Sequence, residues 1–374
     1  MNLTDREHQI VALLRRDPMI GSKAIAEQLG TTRASVNVHL SNLGKKGVIL
    51  GRGYILGDRP GVVVIGGSNL DVKARSAAPA TAGTSNPGHG SMTPGGVGRN
   101  IAENLARLGT HTHLVTVVGR DAMGDSLLAQ TSAAGVRLEH VHRTDLPTGT
   151  YTALLDADGE LIVAVSDMGA TAALGPEQVD EARDVITSAG LLVLDGNLAP
   201  TALGFALDLA SAAGVRTILE PVSVPKARLI APHISADRPL YGVTPNRDEL
   251  AALTDMPART DRQLRLAADD LHRRGVEHVW IRLGERGSML GSASGEVTFL
   301  PAVPTTVEDV TGAGDSMLAA FCHALLEGQE AVDAAMYGHA AAALTIASPH
   351  TVRPDLTPRL VRATLARDKR SSSR

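Results

Sequence analysis

Along the first 57 residues, apolar positions recur at helical spacing and then give way to two short β-prone runs. Ile10, Leu13 and Leu14 form one stripe, with Thr4 as its N-cap and Glu7 three residues later completing a capping box. Ser22 opens a second helix over KAIAEQL, a GTT turn follows, and RASVNVHLSNLGKKG supplies a third. VILGRGYILG then reads as a hairpin broken at Gly51-Arg52-Gly53. Helix, tight turn, longer helix and basic wing make the winged helix-turn-helix pattern. Arg33, Ser35, Asn37 and His39 fall on or near the outer face of the third helix, where groove contacts would come from. A small helical interaction module fits the same pattern.

After a linker at 58–61 the period changes. Runs that are apolar throughout (VVVIGG, HLVTVVG, LLVLDG, VRTILE, HVWIRLG) alternate with helix-like segments near 99–108, 121–134, 176–188, 201–213, 260–274 and 313–327. Continuous apolar strands separated by helices predict an α/β domain, a doubly wound and mostly parallel sheet covered on both faces, over 62–366. Residues 150–167 break the alternation with two strands around Asp158-Gly159, a hairpin signal. With the Gly/Pro/Ser-rich stretch 79–96 it predicts a small β lid, drawn from about 73–94 and 148–168. The tail 367–374, ending RSSSR, is expected to be disordered.

Charge sharpens the division. Residues 1–57 hold eight Lys/Arg against four acids, so a chain of net charge −4 carries +4 there and −8 in the remainder. That split suits two domains with different partners and argues against a chain committed as a whole to nucleic acid. Aromatics are only 2%, so the core must be filled by Ala, Leu and Val. The single cysteine, Cys322, allows no internal disulfide and reads as a small buried hydrophobe. The polar start and the lack of a membrane-length apolar run lead us to expect a cytoplasmic protein with no membrane partner.

The chemistry concentrates in DVTGAGDS. Met317 stands where a dinucleotide fingerprint needs its third glycine, and no Gly-Lys-Ser/Thr follows for a Walker loop. Gly312, Ala313 and Gly314 can leave backbone N–H groups free at the start of a helix running from Asp315, an anion hole aided by the helix dipole. A glycine-permitted turn with Asp315 as N-cap is the alternative. Upstream lie GGSNLDV, with Asp71 just past a strand end, and TPGGVGRNIAENLARLG, a glycine cluster entering an amphipathic helix. TPNRDEL and IRLGERG follow later.

In this order, over about residues 62–356, these stretches resemble the ribokinase-like family of carbohydrate and nucleoside kinases. SNPGHGSMTPGGVGRN, TGTYTALLDADGELIVAVSDM and EPVSVPKA are similar to its pseudouridine kinase subgroup, some members of which carry an N-terminal helix-turn-helix. The resemblance implies an ATP-dependent, Mg²⁺-assisted transfer to the 5′-hydroxyl of pseudouridine, with another nucleoside or sugar hydroxyl, or a ligand-sensing transcription regulator on a kinase fold, as the alternatives. Asp315 would be the general base, kept ionised by the helix N-terminus, and the N–H groups of Gly312, Ala313 and Gly314 would face the phosphoryl oxygens. Asp71, helped by Asn69, would accept two ribose hydroxyls, and Gly95, Gly96 and Asn100 would close around the sugar. Asn246 and Glu249 would place Mg²⁺ and phosphate, largely through water. Gly284 and Gly287 would border the nucleotide. His339 stands where the family commonly has an asparagine near adenine, with a helix-face histidine as the alternative. Asn197 and Lys226 are candidates for phosphate contacts, and Thr150 and Met168 for the base. A K⁺ site near 309–311 and 348–353, a lid-mediated homodimer, and DNA as a partner of residues 1–57 complete the expectations.

Overall fold

The N-terminal helices begin where their caps predict, at Asp5–Arg16, Ser22–Gln28 and Arg33–Lys45. This is a computed structural model describing residues 3–49 and 61–372. Its contacts divide the chain into Met1–Pro60 and Gly61–Arg374.

In the first unit the Thr4 hydroxyl accepts from the Glu7 N–H, and Glu7 Oε2 accepts from the Thr4 N–H at 2.7 Å. Lys46 reaches the same carboxylate at 2.7 Å, and these bonds bring the Glu7 carboxyl down to about 2. Ile10, Leu14, Ile25, Val36 and Leu43 form its core. On the third helix Arg33, Asn37 and Ser41 are exposed along one face, whereas Ser35 and His39 are half-buried. The expected wing falls almost wholly on residues 50–57, outside those described.

The second unit contains strands β1 (Val62–Ile65), β2 (Asn69–Ser76), β3 (Gly88–Gly95), β4 (Thr112–Gly119), β5 (Val141–Thr144), β6 (Thr150–Leu155) and β7 (Leu161–Asp167). β8 (Leu191–Asp195), β9 (Thr217–Glu220), β10 (Leu240–Val243), β11 (Val276–Arg282), β12 (Ser288–Ser292) and β13 (Val297–Leu300) follow. Nine of them form one sheet in the order β13-β12-β11-β10-β9-β8-β1-β4-β5, parallel from β5 to β11 and antiparallel at β12 and β13. The alternation within β1 shows how the layers form. Val63 and Ile65 join the core under helices Pro200–Ala213 and Asp261–Arg273, while Val62 and Val64 pack with Val97–Arg107, Ala313–Leu326 and Ala331–Ile346 on the other face. The chain leaves β1 toward β4 on one side and returns through β8 on the other, so the crevice at the carboxyl ends of β1 and β8 is a topological switch point.

β3-β2-β6-β7 is a separate four-stranded sheet, the expected lid, with β2 as a strand that the sequence pattern did not announce. Gly159 takes φ 92° in the β6–β7 turn. Cys322 is buried as expected, and burial pushes its thiol up to about 12.

Two expectations need correction. The last helix, Pro358–Ser372, continues through most of the tail expected to be disordered; its Ala, Leu, Lys and Arg residues are strong helix formers. The helix after the glycine turn begins at Ala313, not Asp315, so Gly314 and Asp315 lie in its first turn. Among the described residues no helix is long and apolar enough to cross a membrane.

Candidate active site

Strand ends supply the site. β1 runs out into Gly66-Gly67, and Asp195 closes β8, fully buried. Asp195 Oδ2 accepts the N–H groups of Gly67 (2.9 Å) and Gly98 (2.8 Å), and Oδ1 accepts that of Asn197 (2.9 Å). A single carboxylate thus ties the loop after β1 to the first turn of Val97–Arg107. Burial pushes its proton affinity up while these bonds oppose the shift. Sequence reading passed over Asp195, although LLVLDG placed it at a strand end.

β2 and β3 pair Asn69 with Gly95 and Asp71 with Thr93. Asn69 Nδ2 donates to Asp71 Oδ1 at 2.7 Å, and a Cβ on Gly95 would fall on the Asp71 carboxylate. Gly96, at φ 94°, caps Val97–Arg107, and a Cβ there would meet the Gly67 carbonyl and Ser68 Cα. Asn69, Asp71, Gly95 and Gly96 therefore converge as expected. Arg99 was missed as well. Almost wholly buried, it donates from Nε to the Gly95 carbonyl (3.0 Å), from Nη2 to Pro94 O (3.1 Å) and Asn100 Oδ1, and from Nη1 to Glu103. With its oxygen held, the Asn100 amide points its NH₂ at Asp315 Oδ2, 2.8 Å away.

Asp315 is the third residue of its helix, so the reading of it as N-cap is excluded; Gly312 is the N-cap, at φ 78° against the Thr351 carbonyl. Among the described residues nothing accepts from the N–H groups of Gly312 and Gly314. The Ala313 N–H instead donates to Val310 O at 3.3 Å, which removes one of the three expected donors. The expectation that the helix end keeps Asp315 ionised is also corrected. Burial foremost, with the Glu220 and Asp195 carboxylates adding, pushes its carboxyl up to about 7 against the pull of Asn100 and Arg282.

On the far side of the glycine turn, Asn246 and Glu249 form a capping box at the start of Arg247–Thr254. Asn246 Oδ1 accepts from the N–H groups of Asp248 and Glu249 (2.9 Å each), and Glu249 Oε2 accepts from the Asn246 N–H (2.8 Å) and from Arg282 Nη2 (3.1 Å). Among the described residues no three His, Cys, Asp or Glu side chains gather to hold a metal ion. This donor set fits a Mg²⁺ that keeps its waters and meets Glu249 and Asn246 through them. Asn246, Arg247, Asp248, Arg282, Leu283, Glu285 and Arg286 line a cleft of about 470 Å³. Gly284 and Gly287 flank the short turn beside it, both at positive φ.

Other expected residues lie apart. His339 is in the core, its Nε2 2.7 Å from Ser288 Oγ, which in turn accepts from Trp280 Nε1. Burial brings it down to about 4, so His339 is a core residue of its helix, neither on an exposed helix face nor open to a nucleotide. Asn197 bonds Asp195, and Lys226 is half-exposed in the helix Val224–Ile230. Thr150 opens β6 opposite Leu70 and Asp167, and Met168 follows β7 with its sulfur close to Gly149.

A mostly parallel sheet, a glycine turn with free N–H groups and a facing carboxylate are an arrangement that suits group transfer from an anionic donor. The chain belongs to the pfkB family of carbohydrate kinases, whose family model matches residues 59–358. Residues 3–49 match a winged helix-turn-helix DNA-binding family. An uncharacterized sugar kinase of Escherichia coli strain K12, YeiI, is 33% identical over 356 residues, 95% of this chain and 97% of its own. The pseudouridine kinase of the same strain is 32% identical over 299 residues, 79% of this chain and 93% of its own. The structure of Arabidopsis thaliana ribokinase complexed with ribose and ATP superimposes with a TM-score of 0.73 at 27% identity, over 82% of this chain and 99% of that one. The protein is a sugar or nucleoside kinase that uses ATP, preceded by a winged helix-turn-helix domain.

Proposed function

We propose that this kinase transfers the γ-phosphoryl group of ATP to the 5′-hydroxyl of pseudouridine. The observation that carries the reading is the Asn100–Asp315 bond: a carboxyl pushed up to about 7 stands between the sugar-side residues and the Gly312–Gly314 turn. Asp71 and Asn69 take two ribose hydroxyls, Gly95 and Gly96 admit the sugar, and Asn100 holds both sugar and base carboxylate. Asp315 accepts the proton of the 5′-hydroxyl as that oxygen bonds to the γ-phosphorus. The bond from phosphorus to the bridging oxygen breaks, and ADP leaves with the electron pair. The Gly312 and Gly314 N–H groups stabilise the charge on the transferring group. Mg²⁺ supplies charge neutralisation on the phosphates, and Asn246 and Glu249 orient its waters. Gly284 and Gly287 border the nucleotide, Asn197 and Lys226 approach its phosphates, and residues 309–311 and 348–353 would hold K⁺, which would supply positive charge near the glycine turn.

Pseudouridine as acceptor rests on likeness to the Escherichia coli and Arabidopsis thaliana pseudouridine kinases, 32% and 28% identical. Thr150 and Met168, at the root of the lid, meet the base. A second reading, a free sugar as acceptor, is favoured by the YeiI similarity, which spans both domains. Product analysis after incubation with Mg²⁺-ATP and pseudouridine, uridine, adenosine, cytidine, ribose or fructose separates them. Pseudouridine 5′-phosphate as the dominant product supports the first reading, and phosphorylated ribose or fructose the second.

Residues 1–57 bind DNA through the exposed Arg33, Asn37 and Ser41 face, in the cytoplasm, and regulate transcription. The lid mates with a second copy through Leu161, Val163 and Val165, all exposed on β7.

A further inference from the structure

Arg282, the last residue of β11, escaped the sequence reading, and it joins three parts of the site. Its Nη2 donates to Glu220 Oε1 at 2.7 Å and to Glu249 Oε2 at 3.1 Å. Both carboxylates are buried and held by further donors. The Thr244 hydroxyl donates to Glu220 Oε2 at 2.6 Å, and the Asn246 N–H donates to Glu249 Oε2. The Arg282 backbone N–H is fixed on Pro245 O at 2.8 Å. The guanidinium therefore has little freedom to turn.

Its other amino group is placed differently. No described residue accepts from Nη1, and a Cβ added to Gly314 would land on that atom. The free edge of the guanidinium thus covers the glycine of the anion-binding turn, and the same side chain lines the 470 Å³ cleft. An arginine beside buried carboxylates ordinarily spends its donors on them, and here half-buried Arg282 spends one end so while the other is presented to the cleft.

We propose that Arg282 is a catalytic residue of the phosphoryl transfer, presenting Nη1 to the γ-phosphoryl oxygens of ATP above Gly314 while Glu220 and Glu249 hold Nη2. This rests on the kinase reading and adds to it a cation fixed within the chain. Charge accumulates on those oxygens as the bridging bond loosens, and a preorganised guanidinium opposes it without reorganising. Glycine is required at 314 in part because any side chain would displace Nη1. The competing account is that Arg282 only neutralises two buried acids. It then matters for stability and not for the nucleotide.

Two readouts separate these accounts, on the full-length protein carrying Arg282→Lys and Arg282→Ala. The first is calorimetric binding of Mg²⁺-ATP against Mg²⁺-ADP, which needs no acceptor. Arg282→Lys keeps a positive charge for the two glutamates and stays folded if the alanine variant does not. It should lose most of the wild-type preference for ATP over ADP. The second is turnover with the best acceptor of the panel. Here kcat should fall roughly 10²–10³-fold with KM for the acceptor little changed, and millimolar guanidinium should restore part of the Arg282→Ala rate. An unchanged ATP preference in Arg282→Lys, or a lowered melting temperature with kcat intact, would overturn the proposal. A wild-type enzyme that turns over no acceptor refutes the kinase reading of the site, and the nucleotide preference still decides the role of Arg282.

Discussion

A carboxylate in the first turn of a helix is ordinarily more acidic than usual, and Asp315 is not. Burial and the nearby Glu220 and Asp195 carboxylates outweigh the helix terminus and bring it to about 7. Two results follow at this scale. The acceptor-saturated rate should lose about tenfold per pH unit below roughly 7, as a base that must be ionised requires. Asn100→Ala removes the bond that favours the ionised form, so that acid limb should move to higher pH; a limb that stays put would show that Asn100 does not act on the base. Stability carries the opposite sign. A carboxyl raised from 3.8 favours the folded state fully below that value, and the contribution is lost as pH rises through 7. Asp315→Asn should therefore gain in melting temperature over wild type as pH climbs from 4 to 8, with a ceiling of about 4 kcal/mol at ~1.4 kcal/mol per unit. Asp195 acts through its bonds to two loops. Asp195→Ala should leave the Gly67 and Gly98 N–H groups unpaired and raise KM for the acceptor before it alters nucleotide binding.

At the level of elements, Gly312 is the sharpest test. Its φ of 78° and the Thr351 carbonyl against it leave no room for a side chain. Gly312→Ala should cost at least about 1 kcal/mol in stability, read by denaturant unfolding, and should distort the glycine turn before Asp315. The legibility of the chain also divides here. Strands such as VVVIGG and helices with a polar face were plain in the sequence because their periods differ. Ala331–Ile346 was not, because AVDAAMYGHAAAALTI is apolar on nearly every side, as a helix packed between layers can be. β12 is short and bounded by serines, β13 has only four residues, and both were missed for the same lack of a period. In the site, the glycine motifs were legible because turn chemistry marks them, and Asp71 through the family resemblance, although it lies inside β2 and not just past a strand end. Arg99, Asp195 and Arg282 were not, since nothing local distinguishes a buried arginine or strand-end aspartate from a solvated one. The partners of Asp195 and Arg282 lie up to 128 residues away along the chain, whereas those of Arg99 are local and only the packing around them buries it. His339 shows the converse: its place in the motif order suggested a ligand contact, and packing against Trp280 and Ser288 gave it a core role.

For the molecule as a whole, the +4 N-terminal segment and the −8 remainder set different expectations. Full-length protein should bind duplex DNA with an affinity that falls steeply with salt, and Arg33→Ala with Asn37→Ala should weaken it while kinase activity stays intact. If the lid mates with a second copy, Val163→Lys with Val165→Lys should yield a monomer by sedimentation. The central claim, however, is that Asp315 drives phosphoryl transfer to a nucleoside or sugar hydroxyl. Its most direct test is acceptor-dependent conversion of ATP to ADP by wild type and Asp315→Asn, both confirmed folded by circular dichroism. The account predicts turnover on pseudouridine by wild type and a loss of at least roughly 10³-fold in the variant, in the range where general-base catalysis contributes. Equal rates in the two proteins would contradict it.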